Sequence, residues 1–190
     1  GLKFANFTAV SAATGMQLVT RGTGGATADT DSRTKTIQAP TPTLASVANQ
    51  TFSIGQVATA ASNPTVTEDA GATSITAAND IRIRIPAALN MTWDTTVTTV
   101  TLSGTASAKV STTLMAYEDG NKTLVLNVTS DFTPGQTLTI SGLKFANFTA
   151  VSAATGMQLV TAGAGGATAA TDSQTKTIVT PVATLSSVAN

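Results

Sequence analysis

Hydrophobic and polar residues alternate along much of this chain, the period of a strand with one face buried. In DIRIRIP, Ile81, Ile83 and Ile85 fall on one side and Arg82 and Arg84 on the other. KTLVLNVT repeats the pattern with Leu124, Leu126 and Val128 facing inward, and QTLTISGL does so with Leu138 and Ile140. Turn signals separate these runs. EDGNKT (118–123) predicts a hairpin turn between Met115–Tyr117 and the Leu124 strand, and TPGQ sets Pro134 and Gly135 at the centre of a turn. Further strands are expected near 51–59, 64–69, 72–77, 97–103, 106–114, 143–151, 156–161 and 174–180. No segment carries a sustained 3.6-residue stripe. Many short strands with turns between them predict an all-β fold, an antiparallel β-sandwich.

The segment GLKFANFTAVSAATGMQLVT fills residues 1–20 and returns unchanged as 142–161, a period of 141 residues. Residues 1–49 align without a gap to 142–190, and they differ at nine positions: 21, 23, 29, 33, 38, 39, 41, 42 and 45. Arg21, Thr23, Asp29 and Arg33 become Ala162, Ala164, Ala170 and Gln174, losses expected where side chains meet water. Phe4, Phe7, Val10, Met16, Leu18 and Val19 recur unchanged, as a buried face should. The period exceeds the 20–50 residues of solenoid repeats, so each unit is expected to close its own core, like beads on a string. Pro40 and Pro42, with Pro181 in the second copy, mark the linker. One complete module is then expected over 43–180, with 1–42 the closing third of a preceding module and 181–190 the start of the next.

The Pro/Thr connections, the IPAALNMTW strand exit and the FTPGQTLTISGLKFANFTA run resemble the tandem immunoglobulin-like or cohesin-like β-sandwich repeats of very large bacterial and archaeal surface proteins. The resemblance spans the whole period and rests on style and strand order. It implies a stalk, adhesin, sheath or surface-layer role and carries over no catalytic residue.

Composition narrows the chemistry. Only 4% of residues are aromatic, so the core is expected to be aliphatic, built from Ile, Val, Leu and Ala. Charged residues are sparse and balance to a formal net of +0, which gives no electrostatic attraction for nucleic acid or an anionic membrane. No apolar run reaches the roughly 18 residues of a membrane span. The chain has no Cys and no His, which removes thiol nucleophiles, the usual soft metal ligands and the commonest general base. No cofactor, metal or catalytic residue is expected, and the chain reads as a non-enzyme. The excess of Thr, Ala, Ser and Gly suits an extracellular β-protein, secreted or on the cell surface.

Six Asn-x-Ser/Thr sequons are glycosylation candidates, at Asn6, Asn49, Asn90, Asn121, Asn127 and Asn147. In a Thr-rich chain sequons also arise by chance. The acidic pairs Asp29/Asp31, Glu68/Asp69 and Glu118/Asp119 lack a calcium-loop pattern and read as solvated loop charge. GTGGAT (22–27) lacks the Lys-Ser/Thr of a phosphate loop and reads as a hairpin tip. Trp93 is read as a core plug and Tyr117 as strand-end packing, not as a sugar-stacking row. Lys144 with Asn147, or Lys109 with any Asn, are the candidates for an isopeptide bond. Every acid stands in or beside an expected turn, which leaves no carboxylate pair for glycoside hydrolysis.

These readings converge on a scaffold that extends, spaces and joins its neighbours through strand edges; the alternative is an adhesin or carbohydrate-binding repeat. Its partners are neighbouring copies in cis and in trans, with surface glycans for the alternative. Residues 1–42 lack the first two-thirds of their module, so their strands need an edge supplied by a neighbour, as in strand complementation. Leu2, Phe4, Phe7, Val10, Met16 and Leu18 are the candidate inter-module strand.

Overall fold

The chain divides after Pro40 into two units, Gly1–Pro40 and Thr41–Asn190. The computed structural model describes residues 2–20, 23 and 25–183, with Ala28 by its backbone alone. Residues 184–190, most of the stretch read as the start of a next module, lie outside the described residues, as do Gly1, Arg21, and Gly22 and Gly24 of the first glycine-rich tip. Strands hold 48% of the chain, and no α-helix forms among the described residues.

The first unit is one antiparallel hairpin, β1 (Ser11–Val19) with β2 (Thr27–Ile37). Among its described residues the second unit contains three sheets. In the largest, the order is β10 (Val110–Glu118), β11 (Thr123–Val128), β7 (Ile81–Arg84), β14 (Ser152–Val160), β15 (Ala170–Val179) and β4 (Gln50–Ser53). A four-stranded sheet runs β3 (Thr43–Ser46), β6 (Pro64–Thr67), β12 (Thr137–Ser141), β9 (Thr101–Ser103). A small sheet sets β13 (Lys144–Ala146) between β5 (Thr59–Ala60) and β8 (Thr92–Trp93). This arrangement of several antiparallel sheets around one core is consistent with a β-sandwich. One pairing departs from the antiparallel expectation: β15 runs parallel to β4, with Ile178 beside Phe52. No tight turn joins these two strands, so nothing forces them antiparallel.

The alternating runs bury the predicted faces. Ile81, Ile83, Leu124, Leu126, Leu138 and Ile140 are fully buried, and each such side chain contributes about 1.5–3 kcal/mol. Val125, on the opposite face of β11, is buried too. There Arg82 of β7 and Glu118 of β10 clasp across β11 through two hydrogen bonds, Nε to Oε2 at 2.9 Å and Nη2 to Oε1 at 3.1 Å. The core also departs from its aliphatic expectation. Phe148, Phe52, Phe145 and Trp93 form a continuous cluster, with centroid separations of 4.6, 5.6 and 4.8 Å along it. A small aromatic fraction is enough when every aromatic of the unit but Tyr117 is buried; Tyr117 is half-buried and donates to Val97 O at 2.6 Å.

Several expected strands are shorter, split or missing. The 51–59 stretch is divided between β4 and the start of β5, with Gly55 at φ 76° between them, and 97–103 is reduced to β9. Residues 72–77 form no strand, because the buried Glu68 carboxylate takes the Ser74 and Ile75 N–H groups at 2.9 and 2.7 Å; amides held by a side chain are lost to a ladder. The 106–114 segment begins with a 3-10 turn, Ser107–Lys109, before β10. The 143–151 strand stops after Ala146, where Asn147 turns the backbone to φ 56°. The TPGQ turn closes as a type II turn, with Gly135 at φ 75° and Gln136 N–H donating to Thr133 O at 3.1 Å.

Candidate functional site

The duplicated segment forms one hairpin twice. In the first unit Ser11 faces Ile37, Thr14 faces Lys35, Gly15 faces Thr34, Gln17 faces Thr30 and Leu18 faces Asp29. The second unit repeats each of these pairs 141 residues on, including the register shifts after Ser152 and Gly156. The shared register is therefore written within the hairpin. Its hinge is Gly15 or Gly156, where the partner strand passes so near that a Cβ would stand 2.1 Å from Asp31 O or 1.9 Å from Asp172 O. Gly156→Ala must push β15 away and is expected to cost about 2 kcal/mol, read as a lower denaturant midpoint of the second unit.

The bulge opposite that glycine carries a charged pair. In the second unit Lys176 Nζ lies 3.4 Å from Asp172 Oδ2, and both side chains are fully buried. Asp172 also accepts from Ser46 N–H at 2.9 Å, Ser46 Oγ–H at 2.5 Å and Gln174 N–H at 2.9 Å. Lys176 donates to Gln174 O at 3.0 Å. Burial pulls the Lys176 ammonium below its usual range, and the Asp172 carboxylate opposes that fall. The first unit holds the same pair, Lys35 Nζ to Asp31 Oδ2 at 2.8 Å, in a partly exposed setting. The Lys35 contact and the Arg33 N–H hold the Asp31 carboxyl below its ordinary value.

The apolar residues divide in the same way. Phe145 is 0% exposed and Phe4 59%; Leu159 is 0% and Leu18 60%. Leu143, Phe148, Met157 and Val160 are buried, whereas Leu2, Phe7, Met16 and Val19 are exposed. Val151 is a correction to the expected buried face. It is 56% exposed, as Val10 is also exposed, because it precedes β14 in a loop.

The sequons spread over several surfaces. Asn6 and Asn147 are exposed at left-handed positions, φ 59° and 56°, and Asn121 is exposed in the β10–β11 turn. Asn49 is exposed, with its Oδ1 accepting from Thr175 N–H at 2.7 Å. Asn90 is half-buried, its amide donating to Val151 O and Ser152 Oγ, both at 3.0 Å. Asn127 is half-buried within β11. Two of the isopeptide candidates hold other partners: the Asn147 amide donates to Thr92 Oγ1 at 2.9 Å, and Lys109 Nζ to Asp131 O at 2.7 Å.

The reading that every acid is turn charge needs correction, since Glu68 and Asp172 are buried. Glu68 organises the loop that follows it, accepting from Asp69, Ser74 and Ile75, whereas Asp172 ties β15 to β3 through Ser46. Asp69, beside Glu68, accepts from Thr41 N–H and Oγ–H and from the Gly71 and Ala72 N–H groups. These bonds, Thr41 first, lower its carboxyl from 3.8 to about 2. A depressed carboxyl stabilises the fold above its unfolded value, and that contribution is lost as pH falls through the folded one. Asp69→Asn is therefore expected to flatten acid destabilisation between about pH 4 and about pH 2, as read by urea midpoints across that window. Among the described residues no three His, Cys, Asp or Glu side chains are placed to share a metal ion, and no helix is long and apolar enough to cross a membrane.

Comparison with known proteins finds no matching family model, no matching curated protein and no matching solved structure. The Asp172–Lys176 pair escaped sequence reasoning, although a signal was present. Asp31 and Lys35 persist as Asp172 and Lys176 while the charges between and beside them, Asp29 and Arg33, are lost.

Proposed function

We propose that the chain is a structural repeat of a large extracellular surface protein. In this reading a 141-residue Ig-like or cohesin-like β-sandwich recurs as a stalk, filament, sheath or surface layer, and its modules join through strand edges. One observation carries the reading. Twelve positions between 142 and 183 are buried, and all twelve hold the same residue 141 positions earlier. Eight of the nine differences fall at described positions of the second unit, and each of those positions is exposed or half-buried. A copy that keeps every core residue while its surface drifts serves the same fold. A fold repeated at fixed spacing along one chain is suited to setting distance and presenting edges.

The test is a series of chains carrying one, two and four 141-residue periods. The expected result is one cooperative unfolding midpoint for the repeated bead, and particles in negative stain that lengthen by a constant increment per period. A single 41–183 module that captures a polysaccharide on a glycan array would overturn the scaffold in favour of an adhesin.

A further inference from the structure

We propose that the apolar face of the β1–β2 hairpin is a docking surface for a second copy of the strand set 41–141 whose own hairpin position is open. The inference rests on the repeat-module reading and names the surface through which such modules are completed. In the first unit a groove of about 560 Å³ is lined by Phe4, Phe7, Met16 and Ile37, among others. The equivalent residues of the second unit are Phe145, Phe148, Met157 and Ile178, and they are covered. What covers the two phenylalanines is known: Phe52 stacks on Phe148 and meets Phe145 edge-on, while Trp93 stacks on Phe145. Phe52 and Trp93 both belong to the 41–141 segment. An occupant of that sequence brings both rings.

The backbone and the ion pair make the same assignment. In the second unit β7 pairs with β14, β4 with β15, and β5 and β8 with β13. The first-unit hairpin already holds the register of β14–β15, so it needs no rearrangement to accept β7 and β4. Its residues 3–5, the equivalent of β13, form no strand here and gain their ladder only when β5 and β8 arrive. The Asp31–Lys35 pair stands ready for the Ser46 donors that Asp172 receives. A whole second copy of the chain is a poor occupant. Its slot is filled by its own 142–178, so an exchange frees one hairpin for each it seats and adds no net contact.

The test compares the 190-residue chain with a chain carrying an added copy of 41–141 ahead of Gly1. Hydrogen exchange is read on 27–37, whose Asp29 and Arg33 distinguish its peptides from those of 170–178. The added copy is expected to slow exchange in 27–37 by roughly a hundredfold or more, and Phe52→Ala with Trp93→Ala in the added copy alone should abolish the gain. Cysteine trapping gives an independent reading, because the chain has no cysteine of its own. Thr36→Cys should form a disulfide with Thr51→Cys in the added copy, the equivalent of the Thr177–Thr51 pair. If 27–37 stays open and untrapped while 170–178 is protected, the docking surface is overturned and the repeat module stands. Equal protection of 27–37 without the added copy overturns it as well.

Discussion

Phe145→Ala is expected to destabilise the second unit by about 3–5 kcal/mol, while Phe4→Ala changes stability by no more than about 0.5 kcal/mol. The two residues share their sequence neighbourhood over twenty positions, so local propensity cannot separate them. Burial does. Phe145 is fully enclosed between Phe52 and Trp93, and truncation there removes two aromatic contacts and leaves a cavity that the facing sheets cannot fill by moving. For a unit of this size the loss corresponds to a drop of roughly 6–20 °C in Tm. Circular dichroism during thermal and urea unfolding measures both variants without relying on Trp93, whose surroundings the first mutation changes. Equal costs would mean that Phe4 is buried in the free chain, which would sink the assignment of the first hairpin as an open face. In the chain extended by a second 41–141 copy, Phe4→Ala should become as costly as Phe145→Ala.

That contrast also marks what the sequence could and could not reveal. The strands of DIRIRIP, KTLVLNVT and QTLTISGL were legible because each buries one face, and a period of two follows directly. The turns at Gly135 and at 119–122 were legible because Pro, Gly, Asn and Asp leave few other options. Residues 72–77 were not, since their amides answer to Glu68, a side chain that reads as solvent charge by composition alone. The ion pair in β15 was hidden for a related reason. Asp172 and Lys176 keep the parity of the buried Ile178, so alternation does place them inward, but a charged side chain at such a position reads as solvent charge until its partner is known. The parallel β15–β4 pairing joins segments more than a hundred residues apart, and no local signal reports it. For the candidate site, the repeat itself was the informative feature. It identified the apolar face, whereas the partners of that face are tertiary facts.

Asp172→Ala carries the other large effect, an expected loss of about 3–5 kcal/mol. The mutation leaves the Lys176 ammonium fully buried with only Gln174 O to accept from it, and strips Ser46 and Gln174 of their acceptor. Lys176→Met should cost less, because Asp172 keeps three donors from Ser46 and Gln174. The double variant should recover part of the single loss, a coupling of about 1–3 kcal/mol. The pH dependence follows from the direction of the Lys176 shift. Its folded value lies below its ordinary 10.5, so between the two the unfolded chain binds more protons and stability rises with pH. Without Asp172 the opposing pull is gone and that rise begins at lower pH, so the deficit of Asp172→Ala should shrink from neutral pH to about pH 9.5. Urea midpoints at both pH values measure it. Asp31→Ala, in the exposed twin of the same pair, should leave the midpoint unmoved. A deficit for Asp172→Ala that stays constant with pH would mean that the buried ammonium is not what the carboxylate holds in place.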